Sequence, residues 1–283
     1  MKPLVKLKLL VALVLINPSL FANILNTPIA VPDKTSNLRP DYKWATSSYV
    51  GYAWSSNTNL RASAPTKFNQ PVIGDTNNSN LGNVPFAGFS LSRRFRKIYK
   101  IGFSYDVYGA WAYRKYHAQG IAPTPGAGVE VLGVPYSRSF ALDHQGALFN
   151  VGLKLPDKWS VVIKQMYIKP EISGGVGVGI SKVKAFQALG YFNTAPYSQI
   201  TTLGATNTTK KLAWQFTVGL ALYPKNSAVS FGLAYRYYDG GKFFSSDLYV
   251  LNDGYNNGLP ANLGAWTGVL KTQQLKMYIN AEF

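Results

Sequence analysis

The stretch KLAWQFTVGLAL, residues 211–222, alternates large apolar side chains with small or polar ones. Its large residues are Leu212, Trp214, Phe216, Val218, Leu220 and Leu222. An unbroken period of two predicts a β-strand with one bulky apolar face and one small, polar face. The fold therefore depends on which of these two faces points to the inside.

Alternation of this kind recurs in other stretches, and the sequence predicts eight strands in all. The other seven are YKWATSSYVGYAWSS (42–56), VPFAGFSLSRRF (84–95), IGFSYDVYGAWAY (101–113), QGALFNVGLK (145–154), KWSVVIKQMYI (158–168), AVSFGLAYRYY (228–238) and LKTQQLKMYINAEF (270–283). In the first of these, Trp44 and Trp54 share a face. Their spacing of about 25 Å along a tilted strand matches the apolar band of an outer-membrane barrel.

The predicted connections between these strands are alternately short and long. Short connections lie around residues 96–100, 155–158 and 223–227, and long ones cover roughly 56–83, 114–144, 169–210 and 239–270. This order is typical of an up-and-down antiparallel barrel with short periplasmic turns, long outside loops and both chain ends in the periplasm. Weak alternation within residues 128–142 and 174–192 leaves ten strands as the alternative.

The small face of the predicted strands indicates that polar residues line the interior of the barrel and apolar residues cover its outer surface. Among its Gly, Ala, Ser and Thr residues it carries single charges, namely Asp106, Lys154, Arg236, Lys276 and Glu282. A soluble apolar core would have to bury these charges at high cost, whereas a membrane barrel turns its bulky face to lipid. Because eight strands leave room only for side chains, we expect an interior polar plug of Asp106, Arg236, Lys276 and Glu282. A narrow ion path is the alternative reading of these residues.

Composition and the N-terminal sequence agree with an exported membrane protein. Charged residues form 14% of the chain, against roughly 25% in soluble domains, and there is no cysteine. Three lysines followed by the apolar run 9–16 predict a signal peptide over residues 1–22, then a periplasmic lead-in over 23–41 and the barrel over 42–283. No later stretch has 18 consecutive apolar residues. A closed barrel would still cross a bilayer, because closure satisfies its backbone hydrogen bonds.

The formal charge of +17 raises the question of a nucleic-acid partner. The only dense basic run, Arg93, Arg94, Arg96, Lys97 and Lys100, lies beside one tight turn after an export signal. We interpret it as a solvated periplasmic turn, and a site that contacts inner-leaflet phosphates is the alternative. Outer-membrane lipid and phosphorylated lipopolysaccharide are the expected anionic partners, and nucleic acid is not expected.

Two motifs near the C-terminus resemble a known family. The last strand, with Tyr278 and the terminal Phe283, and the stretch FGLAYRYYDGGKF (231–243) are similar to the closing strands of the small opacity-protein and OmpA-like eight-stranded barrels of Gram-negative bacteria. The resemblance implies an outer-membrane location. It also implies that Tyr278 and Phe283 belong to the signal read by the barrel-assembly machinery.

Candidates for catalysis or cofactor binding are few. The two histidines, His117 and His144, fall in or beside the second predicted long loop, and we interpret them as solvated loop residues. Asp143 would point away from His144, because adjacent strand residues face opposite sides. The stretch GGVGVG (174–179) lacks the Lys-Ser/Thr and the helix of a phosphate-binding loop, and we expect it in an outside loop. No cofactor or metal site is predicted.

The sequence thus predicts a non-enzymatic outer-membrane barrel that acts in surface interaction, adhesion or envelope integrity. Its long loops, rich in Tyr, Asn, Ser and Gly, suit contact with a host or environmental ligand. The alternative is a small porin-like channel for ions or small solutes. A lipid-modifying enzyme is the third possibility.

Overall fold

The computed structural model describes the residues that form the barrel. It covers residues 44–56, 58–62, 81–95, 99–117, 121–123, 130–132, 136–154, 160–163, 166–190, 200–224, 227–250 and 261–283. All of them belong to the compact unit Asp41–Phe283. The predicted signal peptide (1–22) and lead-in (23–41) lie outside the described residues. No helix in the described part is long and apolar enough to cross a membrane.

All regular structure in the described residues is β-structure, as predicted. The strands are β1 (Trp44–Ser55), β2 (Arg61–Ala62), β3 (Asn83–Phe95), β4 (Tyr99–Tyr108), β5 (Trp111–His117), β6 (Ile121–Pro123), β7 (Glu130–Leu132), β8 (Tyr136–Lys154), β9 (Val161–Ile163), β10 (Met166–Gly190), β11 (Ile200–Gly204), β12 (Asn207–Pro224), β13 (Val229–Val250) and β14 (Ala261–Glu282).

Eight of these strands form a closed antiparallel barrel. Around the barrel the order is β1, β3, β4, β8, β10, β12, β13 and β14, and each strand pairs with the next. The barrel closes because β14 pairs with β1, from Ala45 opposite Glu282 to Ser55 opposite Thr272. Neither the first nor the last strand therefore has an open edge in this region. The eight-stranded prediction is confirmed.

The fifth barrel strand lies later in the chain than predicted. The sequence placed it at 158–168, but it is β10, Met166–Gly190, and β9 only forms a short hairpin with its beginning. The GGVGVG stretch was expected in an outside loop and instead lies in the middle of β10, where Gly174 pairs with Val151 and Phe216. The prediction was wrong because glycine contributes no side chain to an alternating pattern.

Several strands are longer than the sequence pattern suggests, and they continue into the segments predicted as loops. β8 starts at Tyr136 and not at 145, and β13 and β14 each have 22 residues. The third predicted strand is divided at residues 109–110 into β4 and β5, and both parts pair with β8. β6 and β7 form a separate two-stranded sheet. We call the end of the barrel near Trp44 and Phe283 the terminal end, and the opposite end the loop end.

The outer surface of the barrel is apolar. Trp44 is 41% exposed, Trp54 is 37% exposed and Phe103 is 67% exposed. Other outward residues of the same kind are Phe89, Leu91, Phe149, Val151, Val176, Trp214, Phe216, Val218, Leu220, Leu233, Tyr235, Leu275 and Met277. A continuous apolar wall around a polar interior is the reverse of a soluble barrel and is typical of barrels in the outer membrane. The chain is an eight-stranded outer-membrane β-barrel.

Candidate functional site

The inward side chains of the barrel form three layers along its axis. A layer of charged and amide groups lies in the middle, an aromatic layer lies toward the loop end, and a polar cavity lies toward the terminal end. The alternation of each strand produces this arrangement, because every second residue points inward. Any chemistry performed by the interior has to involve one of these three layers.

Arg236 occupies the centre of the middle layer and is fully buried. Its Nη1 atom donates to Asp106 Oδ1 at 3.1 Å, to Asp106 Oδ2 at 3.0 Å and to Gln215 Oε1 at 2.9 Å. Nη2 donates to the Tyr108 hydroxyl at 3.1 Å, and Nε donates to Gln274 Oε1. Every guanidinium nitrogen therefore has an acceptor, as a buried charge requires.

The carboxylate of Asp106 is held as tightly as the guanidinium that it faces. Asp106 is fully buried and also accepts a hydrogen bond of 2.7 Å from the Tyr49 hydroxyl. The Phe86 ring lies 4.8 Å from the Arg236 guanidinium carbon, which adds a cation–π contact. Asp106 and Arg236 come from opposite sides of the barrel, β4 and β13, so this ion pair joins the two walls.

Aromatic rings fill the interior between the middle layer and the loop end. Tyr108 stacks on Phe86 at 5.4 Å, on Trp111 at 5.4 Å and on Tyr238 at 5.6 Å between ring centroids. Trp111 and Tyr238 are fully buried. Further buried residues toward the loop end are Tyr113, Phe140, Leu142, Phe243 and Leu270. Together with Arg236, these buried side chains occupy the barrel interior from the middle layer toward the loop end.

His144 lies inside the barrel and not in a solvated loop as predicted. It is buried, with Nδ1 2.8 Å from Ser181 Oγ and Nε2 2.7 Å from the Tyr238 hydroxyl. The error came from starting β8 at 145, because His144 continues the inward series of Gly146 and Leu148. Ser181 is also buried, so this serine–histidine contact offers no access to a substrate.

The other residues considered for catalysis do not join His144. Asp143 points to the outer side, as expected from its position next to His144, and forms an ion pair with Lys184. The side chain of His117 lies outside the described residues. Within the described part of the chain, no group of three His, Asp or Glu residues could hold a metal ion.

The polar cavity lies on the terminal side of the middle layer and measures about 120 Å³. Lys276 lines it, with its ammonium nitrogen 4.7 Å from the centre of the Tyr49 ring and 6.0 Å from that of Tyr278. Glu171, which sequence analysis did not identify, accepts a hydrogen bond of 3.1 Å from the Tyr278 hydroxyl. The remaining polar lining includes Ser47, Ser90, Ser104, Asn150, Ser173, Thr217 and Asn280.

The four predicted interior charges are not one cluster. Asp106 and Arg236 bind each other, but Glu282 pairs with Arg94, and Lys276 has the ring contacts described above. Arg94 and Lys100 line the cavity, so the basic turn contributes two residues to the interior and is not wholly solvated. Residues 96–98 of that turn lie outside the described residues. The ion pair of Arg94 with Glu282 was not predicted from the sequence.

The two residues of the predicted assembly signal face opposite sides of the wall. Tyr278 points into the cavity and is buried, whereas Phe283 is 60% exposed on the lipid side. Phe283 is held by its backbone, which exchanges two hydrogen bonds of 2.9 Å with Trp44. Phe283 is thus fixed at the junction between the first and last strands.

Comparisons with known proteins give structural similarities only. The chain matches no protein-family model and no curated protein. Neisserial surface protein A is 9% identical, with 85% of this chain and 97% of that one aligned and a TM-score of 0.36. OprG from Pseudomonas aeruginosa is 10% identical, over 87% and 99% of the two chains, with a TM-score of 0.40. The outer membrane protease OmpT from Escherichia coli is 10% identical, over 88% and 100%, with a TM-score of 0.41. With TM-scores below 0.5, these similarities carry no conclusion about activity.

Proposed function

We propose that this protein is a closed, non-enzymatic outer-membrane barrel that presents its loop end to ligands at the cell surface and supports the integrity of the envelope. The observation that carries this proposal is the filled interior. Arg236, Trp111 and Tyr238 are each fully buried, and they come from successive levels of the barrel axis. A solute crossing the membrane through the barrel would have to displace all three.

The interior polar plug consists of Asp106 and Arg236 together with the more peripheral Lys276 and Glu282. Tyr49 donates a hydrogen bond to the Asp106 carboxylate, and Arg236 donates hydrogen bonds to Tyr108, Gln215 and Gln274. Removing one partner of such a buried pair costs about 3–5 kcal/mol, because the other charge is left uncompensated. A plug of this strength supports a structural role for the interior charges.

The lack of access to His144 supports a non-enzymatic function. A serine next to a histidine is the start of a hydrolytic site, but a nucleophile must also reach a substrate. Ser181, His144 and Tyr238 are all buried between the barrel walls, and the two His144 contacts use both ring nitrogens. In this arrangement His144 ties three strands together and does not act as a base.

A small channel for ions or small solutes is the second candidate, and the polar cavity favours it. The buried hydroxyl of Thr217 borders this cavity and has no hydrogen-bond partner in the described part of the chain. Such an arrangement suits a water-filled space. The cavity would serve as the periplasmic half of a path, and conduction would then require movement of Arg236 and the aromatic layer.

Conductance of the purified barrel in planar bilayers distinguishes the two candidates. The closed barrel should give no stable conductance above that of protein-free bilayers. A large and stable conductance would refute the closed barrel and favour the channel. A folded porin inserted under the same conditions serves as the positive control for insertion and detection.

Surface presentation requires a separate measurement. Protease added to intact cells should cut within the segments that join β1 to β3, β5 to β8, β10 to β12 and β13 to β14, and it should leave the membrane-embedded strands protected. Cleavage confined to the periplasmic side of opened cells would contradict the proposed orientation.

We further propose that Tyr278 and Phe283 form part of the signal recognised by the barrel-assembly machinery. Support comes from their position in the closing strand, where Phe283 is exposed on the lipid face while its backbone is already paired with Trp44. An exposed side chain on a fixed backbone is available to a partner during assembly.

A further inference from the structure

The outer surface of four consecutive strands, β10, β12, β13 and β14, changes sharply in character toward the loop end. From the terminal end to the level of Phe216, Tyr237 and Gln273, the outward positions of these strands carry no charged side chain. The outward residues of the band are Ile172, Gly174, Val176 and Val178 in β10, Leu212, Trp214, Phe216, Val218 and Leu220 in β12, Leu233, Tyr235 and Tyr237 in β13, and Gln273, Leu275, Met277 and Ile279 in β14.

Lysine residues begin directly beyond this band on each of the four strands. We call them the lysine belt, which consists of Lys182 and Lys184 in β10, Lys210 in β12, Lys242 in β13, and Lys271 in β14. Three of the five side chains are exposed and the other two, Lys184 and Lys271, are partly exposed. The same transition from apolar to basic residues thus occurs on four neighbouring strands.

The register of the strands places these lysines beside one another. Lys210 is opposite Ile180 and Lys182 is opposite Thr208, so Lys182 and Lys210 are diagonal neighbours, at a spacing of roughly 7–8 Å between backbones. Lys242 and Lys271 have a similar diagonal relation across β13 and β14.

The charge of the belt is only partly balanced by acidic residues. Asp143 binds Lys184 and lies opposite Lys182, and Asp239 lies opposite Lys271. Among the described residues, Lys210 and Lys242 have no acidic partner. The only carboxylate near Lys182 is that of Asp143, which is already paired with Lys184. Five ammonium groups therefore face two carboxylates, which leaves an excess of positive charge on one exposed surface.

The belt lies where a membrane presents its head groups. Trp54, Trp214 and Tyr237 mark the loop-end border of the apolar band, and the Trp214 and Tyr237 rings are 5.2 Å apart. Such aromatic residues occupy the interface between lipid tails and head groups. With both chain ends in the periplasm, the belt is at the level of the outer-leaflet head groups, and its flexible lysines can reach along that surface.

We propose that the lysine belt binds the phosphate groups of phosphorylated lipid in the outer leaflet. Lysine ammonium groups bind phosphate as point charges, and the adjoining apolar band would hold the acyl chains of the same lipid. The occupant is thus an amphiphile whose anionic head meets the belt and whose tails meet Trp214 and Leu212. The inference depends on the orientation of the barrel in the membrane but not on whether the interior conducts.

The test compares lipid affinity in two charge-matched variants. The belt variant combines Lys182→Gln, Lys210→Gln and Lys242→Gln. The control variant combines Arg93→Gln, Arg96→Gln and Lys97→Gln, which removes three charges at the terminal end. The folded, heat-modifiable barrel in neutral detergent is titrated with bisphosphorylated lipid A, and bound lipid is counted by native mass spectrometry.

The belt variant should bind bisphosphorylated lipid A about a hundredfold more weakly than the unaltered barrel, which is roughly a fivefold loss for each lysine. The control variant should keep the original affinity, and added salt should weaken binding by the unaltered barrel. Equal affinity of the belt variant and the unaltered barrel would overturn the proposal, and so would equal losses in both variants. Inorganic phosphate or a soluble sulfated glycan that binds the belt as tightly as the lipid would overturn its assignment to lipid.

Discussion

Replacing Arg236 by methionine should strongly destabilise the barrel. The substitution keeps an unbranched side chain of similar length but removes the charge that neutralises Asp106. The Asp106 carboxylate would then be buried with the Tyr49 hydroxyl as its remaining described donor. We expect a loss of about 3–5 kcal/mol in the free energy of unfolding, as is typical when one partner of a buried ion pair is removed.

A double-mutant cycle separates the free energy of the ion pair itself from that of its surroundings. Adding Asp106→Leu to Arg236→Met removes the unpaired carboxylate, and the double variant should recover most of the loss, because buried pairs exchange for apolar residues at little net cost. Lys276→Met serves as the control. Its ammonium group belongs to the same interior but contacts only aromatic rings in the described part of the chain, so a loss of about 1 kcal/mol is expected.

Equilibrium unfolding in urea, with the barrel in lipid vesicles and tryptophan fluorescence as the signal, measures these differences. A coupling free energy between the two positions of about 2 kcal/mol or more is expected from the cycle. If Arg236→Met were no more destabilising than Lys276→Met, or if the double variant were as unstable as Arg236→Met alone, the proposed central role of the pair would be refuted.

Three further substitutions test other parts of the structure. Gly177→Ala should lower the free energy of unfolding in urea by about 1–3 kcal/mol, because the added methyl group would meet the β8 backbone. Gly174→Ala is the control, because the nearest atom to its added methyl group is 3.7 Å away. Equal losses in the two variants would contradict this packing. Phe283→Ala should lower the outer-membrane yield more than Phe103→Ala, which also removes a lipid-facing ring, and equal yields on heat-modifiable gels would reject the assembly signal. Trp111→Ala should lower the free energy of unfolding in urea by about 3–5 kcal/mol, because it leaves a cavity in the aromatic layer. A loss below about 1 kcal/mol would mean that this layer is not packed as described.

The strand pattern was predictable wherever large and small residues alternate. The stretch 211–222 lies within β12, and the facing of Asp106 and Arg236 follows from the same period of two. The pattern is informative because lipid on one side and a narrow interior on the other select opposite kinds of residue at successive positions.

The features that were missed depend on residues that leave no trace in an alternating pattern. The inward face of β10 carries three glycines, Gly175, Gly177 and Gly179, so it shows no alternation of bulky and polar residues in the sequence. The absence of side chains at Gly175 and Gly179 leaves room for Asn150 and His144. The pairing of side chains was equally hidden. An ion pair such as Arg94 with Glu282 joins residues that are distant in the chain, and which inward residues meet depends on the register and curvature of the closed barrel.

The junction between β1 and β14 also determines the order of events in folding. Ser47 and Asn280, which bond across this junction, are 233 positions apart in the chain. Contacts between such distant residues form slowly, because the entropy of closing the intervening chain is lost before the contact is made. Until the last strand arrives, the sheet has two open edges that cannot be placed in lipid and that invite pairing with other chains. We therefore expect the chain to need shielding until its last strand is in place, with insertion and closure completed together.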